Sequence, residues 1–293
     1  MNQENRLALE KAIQAKAKPI KDLVGRDLFA LDEEDAEAIA RELGLSLLDV
    51  YRVTLGLAIY PRRYLRNREG ISLQDQLKLA HSKVAVIGAG GLGGTVIQLL
   101  GRMGVGTLRV VDSDAFDETN LNRQVFCTRE WVGRPKALAV REQLKAINPA
   151  AEVQAHVVRL DASNGLEILA GCQVIVDALD SVKDRLTLQK LARSLGAPLV
   201  HGAIAGFEGQ VMTIFPEDPG LSLLYGTGDD IAGPSNRPEF LLGVPSITPS
   251  LVAALEAMEV LKILLNRGTP FRNKMVYIDL EQGEWTPFGF QGE

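Results

Sequence analysis

Apolar residues recur at helical spacing near the start of the chain. Between residues 33 and 43 they fall at Ala36, Ile39, Ala40 and Leu43, and Gly44 closes the run. A more apolar run, 46–60, ends at Pro61. Residues 1–60 therefore predict an N-terminal helical region. Within it, residues 37–52 have the form of a helix-turn-helix, with a glycine turn and Ser46 placed as an N-cap. A plain packing pair of helices has the same form. Two features favour it: acidic residues outnumber basic ones here, and the second helix runs on into the apolar segment 53–59.

A basic linker, 61–68, precedes a change of period. Short apolar runs at 83–87, 107–111, 153–158, 174–177 and 199–201 predict strands, and amphipathic runs at 92–103, 136–147, 165–169 and 182–195 predict helices between them. This alternation is the pattern of an α/β fold, a Rossmann-like doubly wound, mostly parallel sheet with helices on both faces. A further strand is expected at 210–215. Residues 216–242, rich in Gly, Pro, Ser and Asp, predict a long loop of the kind that is usually functional. A helix at 249–266 and a hairpin near 275–285 complete the second region, 61–293.

Bulk composition narrows the class. At 293 residues, 46% apolar and 24% charged, the chain can bury a full core. Its formal charge of −5 disfavours nucleic acid as a partner. The first residues are charged, unlike an export signal, and Glu256, Glu259 and Lys262 interrupt the most apolar late stretch, so no membrane span is expected. The two cysteines, Cys127 and Cys172, form no CxxC, which points to a reducing cytoplasm.

The strand 83–87 runs directly into Gly88-Ala89-Gly90-Gly91-Leu92-Gly93, a GxGxxG in its strand–turn–helix setting. Such glycines let backbone approach phosphate, and the helix start offers free N–H groups. Asp112, 24 positions after Gly88, ends the next strand where a carboxylate can take ribose hydroxyls. Alone, these features say nucleotide, with a dinucleotide coenzyme as one option. Arg123 and Lys136 suit the three phosphates of ATP better than a pyrophosphate, although Arg123 could instead pair with Asp112 or Asp114. Asp177 and Asp180 close the fourth strand beside this loop. Asp180 is the candidate to hold Mg²⁺ with help from nucleotide oxygens, and Asp177 reads as structural. Asp180 or Ser181 could also simply cap the next helix.

The words GAGGLGG, VVDSDAFDETNLNRQVF, VGRPKA, INP, DALDS, EGQV and GVPSITPSLVAALEAMEVLK together resemble the MoeB/ThiF/HesA group, bacterial relatives of ubiquitin-activating E1 enzymes, over about 63–268. The resemblance implies ATP-dependent adenylation of the C-terminal Gly-Gly carboxylate of a ubiquitin-like sulfur carrier protein, with Mg²⁺. It implies nucleotide contacts from Gly88, Gly90, Gly91 and Gly93, and from Asp112 and Asp114. It also implies phosphate contacts from Asn120, Arg123, Gln124 and Lys136. The segment Arg63-Tyr64-Leu65-Arg66 looks like the group's RYxRQ word, with Asn67 in place of the glutamine, so Arg66 would enter the partner subunit's site and the chain would be a homodimer. The carrier tail would pass beneath a crossover loop at 216–242. Two departures stand out. The group's CxxC pairs are missing, so no structural zinc is expected, and the loop has no cysteine, so the sulfur step is left to another protein. Cys127, close to the NRQ word, remains open as a thiol. The three histidines, His81, His156 and His201, are expected at strand edges in structural roles. Activation of a tRNA base or a peptide, a nucleotide-sensing DNA-binding regulator, and an NAD-dependent oxidoreductase are the competing readings.

Overall fold

Strands covered on both faces must be apolar on both, and this is what the chain supplies. In the strand Lys83–Ile87 (β4), Val84 and Val86 face one core, while Ala85 and Ile87 face another. The computed structural model describes residues 3–22, 24–226 and 241–290. Parallel to β4 lie Thr107–Val111 (β5), Glu152–His156 (β6), Val174–Asp177 (β7) and the first part of Leu199–Ala205 (β8). Glu208–Ile214 (β9), Lys274–Asp279 (β10) and Glu284–Gly289 (β11) extend the sheet antiparallel beyond β8. The eight-stranded order is β11-β10-β9-β8-β7-β4-β5-β6. The parallel block is doubly wound, as its periodicity predicts, and the expected final hairpin is β10–β11.

Gly91–Met103 (α5), Lys136–Ile147 (α6) and Ile247–Leu265 (α10) cover one face through Val96, Leu100, Val140, Leu144, Ala253 and Val260. Gly165–Leu169 (α7) and Val182–Ser194 (α8) cover the other through Leu169, Leu188 and Leu191. Glu256 and Glu259 of α10 are fully buried. Glu259 receives the Thr213 hydroxyl, the Phe271 N–H and the Lys262 ammonium, whereas both oxygens of Glu256 lack a partner. Among the described residues no helix is long and apolar enough to cross a membrane.

The N-terminal region departs from the all-helical expectation. Gln3–Lys16 (α1) is followed by a hairpin of Lys18–Lys21 (β1) and Asp27–Leu31 (β2), and Tyr60–Pro61 (β3) adds parallel to β2. Asp22 makes the turn, since its carboxylate accepts the Val24 and Arg26 N–H groups. Pro19 is tolerated because β1 is the sheet edge. Glu33–Leu43 (α2) and Leu47–Gly56 (α3) form the expected pair, with Gly44 left-handed between them and the Ser46 hydroxyl accepting the Asp49 N–H. α3 is no reading helix. Val50 and Tyr51 pack on Leu9, Ile13 and Ile39, and Leu48 and Leu55 pack toward Leu73–His81 (α4), so none of residues 47–55 is exposed. The basic linker is also structured, as the 3₁₀ helix Arg62–Asn67. Of the predicted loop, 216–226 carries the short helix Ser222–Tyr225 (α9), and 227–240 lies outside the described residues.

Candidate active site

Strand β4 lies between β5 and β7, both parallel to it, so the connections leave β4 in opposite directions and open a crevice at the carboxyl ends. A cleft of about 780 Å³ sits there, in the usual range for a small-molecule site. It follows the sheet edge from Asp112 just after β5, past Gly88 and Gly90 after β4 and Asp180 after β7, to Gly202–Ile204 on β8.

The glycine loop is shaped by its own crowding. Gly88 has φ +95°, and a Cβ there would lie 2.5 Å from the Ala178 carbonyl oxygen. A Cβ on Gly93 would lie 1.9 Å from the Gly88 oxygen. At Gly90 and Gly91 the nearest protein atoms stand 3.6 and 3.4 Å away, so the protein itself has room for a methyl group. What those two glycines keep clear is the cleft they line. Asp112 braces the loop: its Oδ2 accepts the Ala89 N–H at 2.7 Å and its Oδ1 the Asp114 N–H at 2.8 Å. Burial pushes its carboxyl up, against the pull of those N–H groups. Two of its four lone-pair positions are thus taken and two remain for ribose hydroxyls.

The phosphate candidates converge on this loop. Asn120 is buried, its Oδ1 accepting the Asp117 N–H in a capping box. Gln124 is buried with Oε1 unpartnered, beside Gly90. That oxygen accepts only and so cannot take a phosphate; the amide end nearer Gly90 is Nε2, the donor. Lys136 starts α6 and points inward, its Nζ 3.2 Å from Asp114 Oδ2. Arg123 does not pair with Asp112 or Asp114, the simplest structural alternative; its guanidinium donates to the Thr119 carbonyl at 2.9 Å and to Asn122 Oδ1 at 2.8 Å. Gly88, Gly90, Gly91, Asp112, Asp114, Asn120, Arg123, Gln124, Lys136 and Asp180 all line the cleft. Gly93 stands behind it, and Arg66 is exposed on its turn and does not line it.

Asp177 and Asp180 separate as their sequence positions suggest. Asp177 is fully buried against His201, while Asp180 is exposed at the cleft. Ser181, not Asp180, caps α8, accepting the Asp184 N–H. His81 ends α4 instead of a strand, and His201 is in the core of β8. Among the described residues no group of three or more His, Cys, Asp or Glu could hold a metal ion. Cys127 is buried with its thiol near the Asp117 carbonyl, and burial pushes both thiols up, away from a nucleophilic thiolate.

Several lining residues were not singled out from the sequence: Arg159, Asp184, Arg185 and Gly202–Ile204. Arg185 carried a signal, since a cation in the first turn of a helix opposes the helix dipole and needs a reason to be there. Arg159 Nη2 donates to both carboxylate oxygens of Asp184, at 3.1 and 3.0 Å, across 25 residues that no local pattern links.

The chain is 37% identical over 220 residues to a SAMP-activating enzyme E1 of Haloferax volcanii, covering 74% of this chain and 80% of that one. It is 39% identical over 226 residues to a sulfur carrier protein adenylyltransferase of Thermus thermophilus, covering 75% and 82%. The crystal structure of Escherichia coli MccB with ATP shares the fold, with a TM-score of 0.65 at 19% identity, over 87% of this chain and 82% of that one. The model of the ThiF family matches residues 64–291, and the chain belongs to that family.

Proposed function

We propose that this chain is an adenylyltransferase that uses ATP to activate the C-terminal carboxylate of a ubiquitin-like sulfur carrier protein, releasing pyrophosphate. The observation that carries the reading is the cleft's layout. A glycine loop with the Gln124 amide beside it, the buried Lys136 and the lining Arg123 occupies its β5–β4 side, and its floor continues past Asp180 to Gly202–Ile204. The two most informative relatives are named for this chemistry.

Nucleotide fits the first part of the cleft, with ribose on Asp112 and phosphates facing Gly90, Gly91, Asn120, Arg123, Gln124 and Lys136. The carrier tail enters at the β8 side. One carboxylate oxygen attacks the α-phosphorus, the bond from that phosphorus to the bridging oxygen breaks, and its electron pair leaves with pyrophosphate. The attacking group is already ionised, so no general base is required. Arg123 and Lys136 neutralise charge as it moves onto the leaving phosphates, which requires Lys136 to loosen its hold on Asp114. Asp180 alone cannot cage a cation, so it would hold Mg²⁺ only together with nucleotide oxygens and water, where the ion would screen phosphate charge. Buried thiols at Cys127 and Cys172 support a chemistry that ends at the acyl adenylate, with the sulfur step performed elsewhere and no structural zinc in this chain. Arg66, exposed and outside its own cleft, is available to reach a second subunit's site.

ATP–pyrophosphate exchange tests this directly, with purified protein, Mg²⁺ and small Gly-Gly-ending carriers from the same cell. Exchange should depend on carrier and fall by about 100-fold or more in Arg123→Ala and in Asp180→Ala. Exchange that ignores every carrier while ATP still binds would turn the reading toward a peptide or tRNA substrate.

A further inference from the structure

The β8 end of the cleft is backed by a hydrogen-bond chain that the adenylation chemistry leaves unexplained. Asp177 Oδ2 lies 2.8 Å from His201 Nδ1, both side chains being wholly buried. The Asp177 oxygen accepts the Nδ1 proton, so Nε2 is the acceptor end of the ring. Desolvation pushes the imidazole below its ordinary value despite Asp177, which keeps it neutral.

Facing Nε2, at 3.3 Å, is the hydroxyl of Tyr225. That hydroxyl accepts the Gln210 amide N–H at 2.8 Å and the Arg185 Nη1 N–H at 2.9 Å. With both acceptor positions filled, its single proton has one destination, His201 Nε2. The Gln210 amide also approaches that Nε2, at 3.4 Å. Arg185 in turn donates through Nε and Nη2 to the Leu179 carbonyl at 3.0 and 2.6 Å. The tyrosine ring stands edge-on to His201, with centroids 5.9 Å apart.

Of the groups tied to this hydroxyl, Arg185 lines one end of the cleft and His201 and Gln210 stand behind residues that do. Arg185, Leu179 and Gly202–Ile204 line it, His201 precedes Gly202, and Gln210 lies opposite Ala203 across the β8–β9 ladder. Asp112 stands at the end of β5, three strand spacings or about 14 Å from β8 along the sheet edge. The hydroxyl thus organises the part of the cleft left to the carboxylate substrate and is remote from the part assigned to the ribose.

We propose that Tyr225 is a positioning residue for the acyl substrate, its hydroxyl locking Arg185, Gln210 and His201 so that the Leu179 and Gly202–Ile204 walls receive the incoming tail. This rests on the adenylation reading.

Steady-state pyrophosphate exchange on the full-length protein separates the possibilities. In Tyr225→Phe the ring stays and three polar partners lose their common hydroxyl. The KM for carrier should rise about tenfold while the KM for ATP stays within about twofold. Arg185→Lys, which keeps a charge but loses the planar fork, should shift the same two constants in the same way. A carrier KM unchanged in both variants, or both KM values rising together, overturns the proposal. Hydrogen exchange gives a readout independent of any carrier. The amides of Leu224, Tyr225 and Gly226 donate to Leu221 and Ser222 carbonyls within α9, and in Tyr225→Phe they should exchange about tenfold faster. Unchanged exchange there overturns the anchoring role. Absence of carrier-dependent exchange in the wild-type protein is a different result and refutes the adenylation reading instead.

Discussion

At the residue scale, the glycine loop separates two reasons for lacking a side chain. Gly93 is glycine because the Gly88 carbonyl occupies the space a methyl group would need, whereas Gly90 has 3.6 Å of clearance to protein and faces the cleft. The two should respond differently to alanine. Gly93→Ala forces the helix α5 away from the strand, at a cost of about 3 kcal/mol or more and a fall of about 6 °C or more in Tm. Gly90→Ala should keep the wild-type Tm within about 2 °C yet weaken ATP binding by about tenfold or more, because in the proposed placement the added methyl would meet phosphate and not protein. Differential scanning calorimetry with isothermal titration on both variants checks this. A Gly90→Ala variant that melts early would mean that the loop is tighter than its clearances indicate.

At the element scale, helix α10 holds an ionisable group that helps neither packing nor charge balance. Glu256 is fully buried against Gly202 with no partner for either oxygen, and desolvation, assisted by the Asp177 charge and opposed by Arg185, pushes its carboxyl well above its ordinary value. The sign follows from linkage. A raised carboxyl favours the folded state below the unfolded-chain value near 4.5, and that contribution is lost as pH rises through the folded value. Glu256→Gln, neutral at every pH and nearly the same shape, should therefore match wild type in Tm near pH 4.5 and exceed it increasingly as pH rises. A Tm difference that stays flat from pH 4.5 to 9 would show that Glu256 is ionised and paired throughout. Glu259, one turn along, marks the contrast: it has three partners and is satisfied.

At the scale of the whole molecule, Arg66 decides whether one chain is sufficient. It is exposed and does not line its own cleft, so a catalytic role for it requires a second copy. Light scattering should give a dimer. Arg66→Ala and Asp180→Ala, each inactive alone, should recover activity when mixed under subunit exchange. In a mixed dimer the Arg66→Ala subunit keeps its Asp180 and receives an intact Arg66 from its partner, giving one working site. An equal mixture should therefore reach about a quarter of wild-type exchange. No recovery, with exchange of subunits verified, would place Arg66 outside the reaction.

What could be read from the sequence was whatever depends on near neighbours in the chain. Apolar period marked β4 to β7 and the helices between them; the glycine run, Asp112 and Asp180 follow strand ends, where a parallel sheet exposes its ligand edge, and Asn120, Arg123, Gln124 and Lys136 lie in the connection from β5 to α6 and at its first residue. The hairpin β1–β2 escaped because Lys18-Pro19-Ile20-Lys21 has no apolar alternation; it is a strand through its ladder to β2, and the turn is held by Asp22. Tertiary structure alone decided the rest. It chose Thr119 and Asn122 over the aspartates as partners of Arg123, buried α3 so that it cannot read a groove, and joined Asp177, Arg185, His201, Gln210 and Tyr225 from separate elements. Secondary structure follows periodicities a few residues long, whereas a hydrogen bond between side chains 24 or 40 residues apart exists only once the sheet has brought their strands and helices together.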